Sequence, residues 1–158
     1  AYRRQRQMCI RDRFDVVFSN PPYMRADTGH TSDVPEKLIA RHEIFGGITD
    51  FCAAAARLLN FGGLFICVFR PNRLPDLFEA LRVNNLEPKR MTEIYPDAAS
   101  RPSAVIVESK LGAGPSLEVT RPLIFYANDV SDGTPRTMTP QAARIYDTCS
   151  FAENDRYQ

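Results

Sequence analysis

The residues with the clearest chemical potential are four consecutive ones, Asn20-Pro21-Pro22-Tyr23, which follow a short apolar run at residues 14–18. The Asn20 side-chain carbonyl and the Pro21 main-chain carbonyl can each accept one N–H hydrogen bond, so together they can hold a planar NH₂ group. Proline fixes its own φ, restrains the residue before it and offers no competing N–H. The Tyr23 ring adds a flat face, and base–aromatic stacking contributes roughly 1–3 kcal/mol. The pattern predicts a site that orients the amine of a base or an amide.

An amine held in this way is suited to attack on a methyl sulfonium. The lone pair of a planar NH₂ group is delocalised, and acceptance of both N–H groups by Asn20 and Pro21 draws the nitrogen toward a tetrahedral geometry with its lone pair aimed at the methyl carbon. The sulfonium leaving group supplies the driving force, so no general base is strictly required. The alternative interpretation is structural: a strand exit braced by prolines, with Tyr23 packed on it.

The elements around this motif indicate an α/β architecture. The β-branched and aromatic residues 14–18 predict a buried parallel strand, and ligands bind at the carboxyl ends of such strands in open α/β sheets. Residues 27–35 predict a polar loop, followed by one or two helical turns at residues 36–43. A helix is then predicted to end at residues 60–63, which include Gly62 and Gly63. Its apolar positions are Ile48, Phe51, Cys52, Ala55, Leu58 and Leu59.

A second strand is predicted at residues 64–69, and a second helix follows, ending at Asn84-Asn85. The buried face of that helix is expected to carry Leu74, Leu77, Phe78 and Leu81. Residues 90–95 and 104–109 predict two further strands joined by a turn, which we expect to pair antiparallel at an edge of the sheet. Residues 117–126 predict a weak strand, and the chain beyond is polar. Strand, helix, strand and helix in succession are typical of α/β domains.

Composition and charge narrow the class of protein. The chain has 158 residues, of which 44% are hydrophobic and 25% charged, which is typical of one soluble globular domain. Residues 1–13 carry five arginines and one aspartate, a charge of +4, while the whole chain carries +1, which leaves −3 for residues 14–158. This mildly acidic body argues against strong non-specific binding to a phosphate backbone, without excluding a local basic patch.

The cysteines and histidines indicate neither disulfides nor a metal. The four cysteines, Cys9, Cys52, Cys67 and Cys149, have no CxxC spacing, so we expect a reducing, cytoplasmic setting. His30 and His42 are too far from one another and from the cysteines in sequence to suggest a metal site. The longest apolar run, residues 64–69, is far shorter than the roughly 20 residues that a membrane span needs.

The first thirteen residues, AYRRQRQMCIRDR, show no apolar periodicity and no cap or turn signal before the strand begins. The string resembles translated adapter sequence, so we expect a non-native leader. The alternative is a genuine basic arm that contacts RNA.

The segment FDVVFSNPPY, residues 14–23, resembles the catalytic motif of the S-adenosylmethionine-dependent amino-methyltransferases. The order of the segments that follow is similar to the bacterial tRNA adenine-N6 methyltransferase family that acts next to the anticodon. These segments are Ala40-Arg41-His42-Glu43, Leu58-Leu59 leading to Gly62-Gly63, Arg70-Pro71 and Glu87-Pro88-Lys89-Arg90. The likeness extends from Phe14 to about Tyr126.

The resemblance implies the C-terminal half of a Rossmann-like, seven-stranded methyltransferase sheet, mostly parallel with an antiparallel edge hairpin. It implies S-adenosylmethionine as cofactor and tRNA as partner, with methyl transfer to the N6 amine of adenine. The catalytic residues would be Asn20, Pro21, Pro22 and Tyr23, with Asn20 and Pro21 also beside the cofactor. The substrate-binding residues would be Tyr23, Arg41, Lys89 and Arg90, and Arg70 is a further candidate for an RNA contact.

The chain departs from the family's pattern before Phe14, where no glycine-rich loop for the cofactor and no acidic residue for its ribose is found. We therefore expect a fragment that is inactive by itself, with a leader at residues 1–13, a partial methyltransferase domain at 14–126 and a polar tail at 127–158. Two alternatives remain open. One is methylation of a glutamine amide in a release factor, which the motif alone does not distinguish from adenine, and the other is a catalytically silent fragment.

Overall fold

The computed structural model describes residues 13–21, 47–127 and 135–149. These residues form a six-stranded sheet with three α-helices and one short 3-10 helix. In chain order the elements are β1 (Phe14–Ser19), α1 (Ile48–Leu58), β2 (Leu59–Phe69), the 3-10 helix Pro71–Arg73, α2 (Leu74–Val83), β3 (Leu86–Tyr95), β4 (Ala104–Leu111), β5 (Glu118–Val119), β6 (Leu123–Ile124) and α3 (Pro140–Thr148).

The sheet is mixed, with the order β1-β2-β4-β3-β5 and β6 also paired with β3. Strand β1 runs parallel to β2, and β5 and β6 run parallel to β3. Strand β4 is antiparallel to both β2 and β3, so it alone among the described strands runs in the opposite direction. The predicted α/β class and the antiparallel pairing of β3 with β4 are confirmed.

The prediction that this hairpin closes the sheet at its edge is wrong. Strand β4 lies between β2 and β3, while β5 and β6 pair with the outer side of β3. The physical reason is visible in β4, where Val105, Val107 and Ser109 are completely buried. A strand with one face so deeply buried is best placed in the sheet interior, where both of its edges find hydrogen-bond partners.

The hydrophobic core lies between one face of the sheet and the helices α1 and α2. The α2 face is as predicted, because Leu77 and Leu81 are fully buried while Leu74 and Phe78 pack against the core from its margin. The buried core residues are Cys52, Ala55, Leu59, Phe65, Cys67, Phe69, Leu77, Ala80, Leu81, Leu86, Val105 and Val107.

Helix α1 passes directly into β2, without the glycine stop that the sequence suggested. Leu59 follows the last helical residue with an extended backbone, at φ −80° and ψ 146°, and is already the first residue of β2. Gly62 and Gly63 therefore lie within the strand, and their prediction as a helix terminator is wrong.

The two glycines instead form an irregularity where β2 meets β1. Phe14 pairs with Leu59 and Val16 pairs with Leu64, so two steps along β1 correspond to five along β2. Gly62 has a left-handed φ of +79°, which an L side chain rarely adopts. A Cβ added to Gly63 would lie 2.9 Å from a main-chain oxygen of the same strand and 3.0 Å from one of β1. The glycines thus allow β2 to bulge without losing contact with β1.

Strand β1 is parallel, as predicted, but it is not buried. The side chain of Phe18 is 83% exposed and that of Val16 is 51% exposed, whereas Val17 packs against the core. Among the described strands β1 pairs with β2 only, and α1 and α2 cover only the opposite face of the sheet. The apolar residues of β1 are typical of a strand that is covered on both faces. No described element covers the face that carries Val16 and Phe18.

The chain beyond residue 126 contributes a helix to the folded unit. The Thr139 hydroxyl caps α3 by accepting a hydrogen bond from the amide N–H of Ala142 at 3.1 Å. Ala142 is buried, and α3 contacts β6. The weak strand predicted at 117–126 is present as the two short strands β5 and β6. None of the helices in the described ranges is both long and apolar enough to span a membrane.

Candidate functional site

The candidate site lies at the edge of the sheet where β1, β2, β3 and β6 have their carboxyl ends. We call it the carboxyl edge. Ser19 at the end of β1 pairs with Cys67, so Asn20 and Pro21 lie beside the last two residues of β2. Phe69 at the end of β2 pairs with Val105 near the start of β4. Ligands of open α/β sheets bind at this kind of edge, so the fold places Asn20 where the sequence predicted a ligand.

Asn20 and Pro21 differ in their environments. Asn20 is exposed at the carboxyl edge. Pro21 is fully buried, and its ring fixes φ in the main chain. The exposed amide is therefore carried by a backbone that is anchored on its C-terminal side. Pro22, Tyr23 and Arg41 lie outside the described residues, so their predicted roles remain predictions.

Lys89 and Arg90 lie in β3, away from Asn20. Arg90 pairs with Glu108, which pairs in turn with Ile66, and Ile66 pairs with Phe18. Three strand spacings of ~4.8 Å separate Arg90 from β1, or roughly 14 Å. The structure thus does not bring these two basic residues together with Asn20.

Both basic side chains have partners within the sheet. The Arg90 guanidinium lies 3.3 Å from the Glu108 carboxylate and 4.0 Å from that of Glu118. The Lys89 ammonium donates a hydrogen bond to the carbonyl oxygen of Gly114 at 3.1 Å. These contacts link β3 to β4 and to the chain around β5, a structural role that the sequence did not reveal.

The turn between β3 and β4 is closed by the buried carboxylate of Asp97, a contact that sequence reasoning missed. The Asp97 carboxylate is 1% exposed and accepts hydrogen bonds from the amides of Ala99 and Ser100 at 2.9 and 2.8 Å, and from the Ser100 hydroxyl at 2.8 Å. These bonds fix the turn at the carboxyl edge, directly before Arg101. The signal in the sequence was the aspartate followed three residues later by serine, a combination that favours side-chain-capped turns.

A second feature missed by sequence reasoning is the pair formed by Tyr126 and Arg136. The Arg136 guanidinium carbon lies 5.3 Å from the centre of the Tyr126 ring, within the range of a cation–π interaction. Tyr126 lies next to the end of β3, because its amide donates to the Pro96 carbonyl at 2.8 Å. Ten positions separate the two residues in sequence, so no local pattern could have predicted the contact.

None of the side chains with a shifted pKa is suited to act as a base. Burial raises the pKa of the Cys52 thiol to about 12 and, with a smaller contribution from Cys52, that of Cys67 to about 12. The Tyr95 hydroxyl donates a hydrogen bond to the Glu93 carboxylate at 3.1 Å, and this bond is the main cause of its raised pKa. Tyr95 therefore remains protonated and can serve only as a neutral phenol.

The described residues fit only one part of an S-adenosylmethionine site. The expected position of Asn20 and Pro21 beside the methyl-donating end of the cofactor stays a prediction. The turn from β2 to α2, which the structure describes in full, contains Arg70 and the 3-10 helix and no glycine, so it does not provide a glycine-rich cradle. Within the described ranges no three His, Cys, Asp or Glu side chains are grouped as metal ligands.

No family model matches the chain, and no curated protein matches it by sequence. Solved structures do match it. The fold is similar to that of a predicted O-methyltransferase from Agrobacterium tumefaciens, with a TM-score of 0.62 and 19% identity over 85% of this chain and 51% of that one. The chain thus spans about half the length of that protein.

Two further structures are more distant. One is the complex of M1.HpyAVI with S-adenosylmethionine, with a TM-score of 0.48 and 12% identity over 90% of this chain and 68% of that one. The other is a modification subunit of a putative type I restriction enzyme from Vibrio vulnificus YJ016, with a TM-score of 0.43 and 14% identity over 86% of this chain and 30% of that one. Similarity at this level carries no argument about substrate.

Together the topology and the first of these matches show a mixed α/β fold that is similar to part of the fold of that predicted O-methyltransferase. The expected fold class is confirmed to that extent.

Proposed function

We propose that the carboxyl edge of this chain is the amine-orienting half of an S-adenosylmethionine-dependent N-methyltransferase that acts on the N6 amine of adenine in tRNA. The observation that carries the proposal is the position of Asn20 and Pro21. Asn20 is exposed and Pro21 is buried at the end of a parallel strand, in a sheet whose fold resembles part of a methyltransferase.

The role of the two residues follows from hydrogen-bond geometry. Asn20 Oδ1 accepts one N–H of the target amine and the Pro21 carbonyl accepts the other, which draws the nitrogen out of conjugation and aims its lone pair. The cofactor supplies a methyl group on a positively charged sulfur. Transfer of that methyl group would form an N–C bond at the expense of the S–C bond, the amine would become cationic, and its extra proton would be released to solvent. The neutral acceptors stabilise the developing positive charge without taking up that proton.

Adenine is favoured over a glutamine amide by Tyr23 and by the later segments. The face of a tyrosine ring matches a purine better than it matches a narrow aliphatic amide. The segment Glu87-Pro88-Lys89-Arg90 and the hairpin of β3 and β4 resemble the tRNA-modifying family. The mildly acidic charge of residues 14–158 argues against RNA as the substrate. This argument has less weight, because recognition of folded RNA depends on shape and on a few contacts to an unstacked base.

The substrate is tested by incubating the complete gene product with radiolabelled S-adenosylmethionine and, in separate reactions, with unmodified tRNA and with peptide release factor. We expect label in tRNA, recovered after digestion as N6-methyladenosine. Label in the release factor alone would overturn the adenine assignment while retaining the amine-orienting role of Asn20. No label in either substrate would contradict both.

One observation favours the second candidate, in which residues 1–158 alone are catalytically silent. Strand β1 has no described partner on its outer side, and its Phe14, Val16 and Phe18 side chains are all more than half exposed. Strands of parallel sheets are normally covered on both faces. We propose that a further segment supplies the cofactor-binding part of the site against this strand.

A further inference from the structure

The carboxyl edge also carries basic side chains that the proposed reaction does not use. Arg70 follows β2, Arg101 lies in the turn between β3 and β4, and Arg136 lies beside the end of β6; all three are exposed. Two carboxylates also lie in these turns: that of Asp97 is buried and accepts hydrogen bonds from the turn itself, and that of Asp76 pairs with Arg73. Among the described residues of these turns, arginines therefore outnumber carboxylates, in a chain whose residues 14–158 are mildly acidic.

The topology places these arginines in a row that leads away from Asn20. The strands follow one another in the order β1, β2, β4, β3 and then β6. Four spacings of ~4.8 Å give roughly 19 Å from the end of β1 to the end of β6. Along one strand of a duplex, phosphates recur every ~3.4 Å of axis, so the row has the length of several nucleotides.

The turn before Arg101 and the side chain of Arg136 are each fixed by contacts in the structure. Arg101 directly follows the turn that the Asp97 carboxylate closes with three hydrogen bonds. Arg136 lies over the Tyr126 ring at 5.3 Å, and its neighbour Thr137 accepts a hydrogen bond from the Ala127 amide at 2.9 Å. A guanidinium that is already positioned loses less conformational entropy when it binds a phosphate.

We infer that Arg70, Arg101 and Arg136 form a track for the phosphate backbone of a nucleic-acid substrate whose target base is held at Asn20. The inference rests on the proposed function and adds to it the path that the substrate strand follows. Tyr126 acts as a positioning residue, because it holds the Arg136 guanidinium over its ring. The row accounts for nucleic-acid binding by a chain of low net charge, since only local charges contact the phosphates.

Fluorescence anisotropy with a labelled tRNA transcript, measured over a series of salt concentrations with chain 1–158, tests the track. Each phosphate contact contributes about 1 to the slope of log K against log salt. We expect the double variant Arg101→Ala/Arg136→Ala to make this negative slope less steep by about 2 and to weaken binding several-fold at low salt. Tyr126→Leu should change the slope in the same direction as Arg136→Ala does, because the guanidinium loses its support.

Arg57→Ala is the matched control. Arg57 is exposed in the last turn of α1, at the opposite edge of the sheet, and we expect its loss to leave the slope unchanged. The arginines of residues 1–13 are present in every variant, so their contribution cancels in the comparison. An unchanged slope in the double variant, or an equal decrease in the control, would overturn the track.

The salt-dependence measurement and the methylation assay together separate the track from the proposed function. If the complete gene product methylates tRNA while the double variant keeps the wild-type slope, the function stands and the track is wrong. If the double variant loses slope but no methylated adenine forms, the track stands and the proposed reaction is wrong. Preferential binding of release factor over tRNA by chain 1–158 would contradict a nucleic-acid track.

Discussion

Asn20 is exposed to solvent, whereas the next residue, Pro21, is buried. A buried proline cannot rotate φ, so the main chain directly after Asn20 is fixed. An exposed asparagine next to it presents its amide from a fixed point of the main chain. The arrangement suits a side-chain acceptor that must be aimed at one nitrogen, since aiming depends on positions that do not relax when the ligand binds.

The cysteines give a prediction at the same scale. Iodoacetamide at pH 8 should label Cys149, which is exposed, and should leave Cys52 and Cys67 unlabelled until urea unfolds the chain. The thiolate is the reactive form, and a pKa raised to about 12 leaves about one part in ten thousand as thiolate at pH 8. Their reactivity in the folded state should therefore rise with pH up to about 12. Peptide mass spectrometry measures the labelling, and folded-state labelling of Cys52 or Cys67 as fast as that of Cys149 would contradict their burial.

At the scale of elements, the passage from α1 to β2 positions β1 and with it Asn20. The bulge at Gly62 and Gly63 brings β2 back into register with β1 at Val16 and Leu64. The Asn60 side-chain amide also donates to the Asp15 carboxylate at 2.8 Å. The start of β1 is therefore held against the bulge, and Asp15 lies five residues before Asn20.

Gly63→Ala should destabilise the domain by about 1–3 kcal/mol, the usual cost of forcing atoms into a packed region. The added methyl group would meet main-chain oxygens of β2 and β1 at 2.9 and 3.0 Å, and backbone cannot move aside as a flexible side chain can. Urea denaturation followed by circular dichroism measures the free energy of unfolding.

Gly114→Ala is the control, because no atom lies within 4 Å of its added Cβ and a surface substitution of this kind changes stability by less than about 0.5 kcal/mol. Equal stability of the Gly63→Ala variant and the wild type would show that the bulge has room for a side chain.

The sequence predicts where the helices and strands lie along the chain better than it predicts which of them pack or pair together. The apolar spacing of α2 and the β-branched run of β1 identify a helix and a strand, because both signals are local. The insertion of β4 between β2 and β3 depends on non-local pairing, and the exposure of Phe18 depends on what covers the sheet. The same distinction holds at the candidate site: Asn20 was predicted from a local motif and stays a prediction, whereas no local motif predicted the contact of Arg136 with Tyr126.

At the scale of the whole molecule, the helices α1 and α2 cover one face of the sheet, and no described element covers the exposed face of β1. Phe65, Cys67 and Phe69 of β2 are buried under the helices, while Phe18 and Val16 of β1 are exposed. The chain corresponds to 51% of the O-methyltransferase that it resembles. An apolar strand of this kind is the natural docking edge for the cofactor-binding segment proposed above.

Isothermal titration calorimetry of chain 1–158 with S-adenosylmethionine tests this division of the site. We expect weak binding or none, because Asn20 and Pro21 can contact only the methyl-donating end of the cofactor. Most of the affinity would come from contacts to its ribose and adenine, for which the described residues provide no glycine-rich cradle. Low-micromolar affinity of the chain alone would show that the cofactor site is already present in it.

The effect of Asn20→Ala on the complete gene product tests most directly whether the carboxyl edge orients an amine for methylation. Turnover with tRNA should fall on the order of 100-fold, the usual loss when one preorganised hydrogen-bonding group is removed from a catalytic site, while the affinity for S-adenosylmethionine stays within about twofold. Asn72→Ala is the matched control, since Asn72 is an exposed asparagine at the same edge, and it should keep wild-type turnover. Near wild-type turnover of Asn20→Ala, or a loss of turnover that only follows a loss of cofactor affinity, would contradict the assigned role.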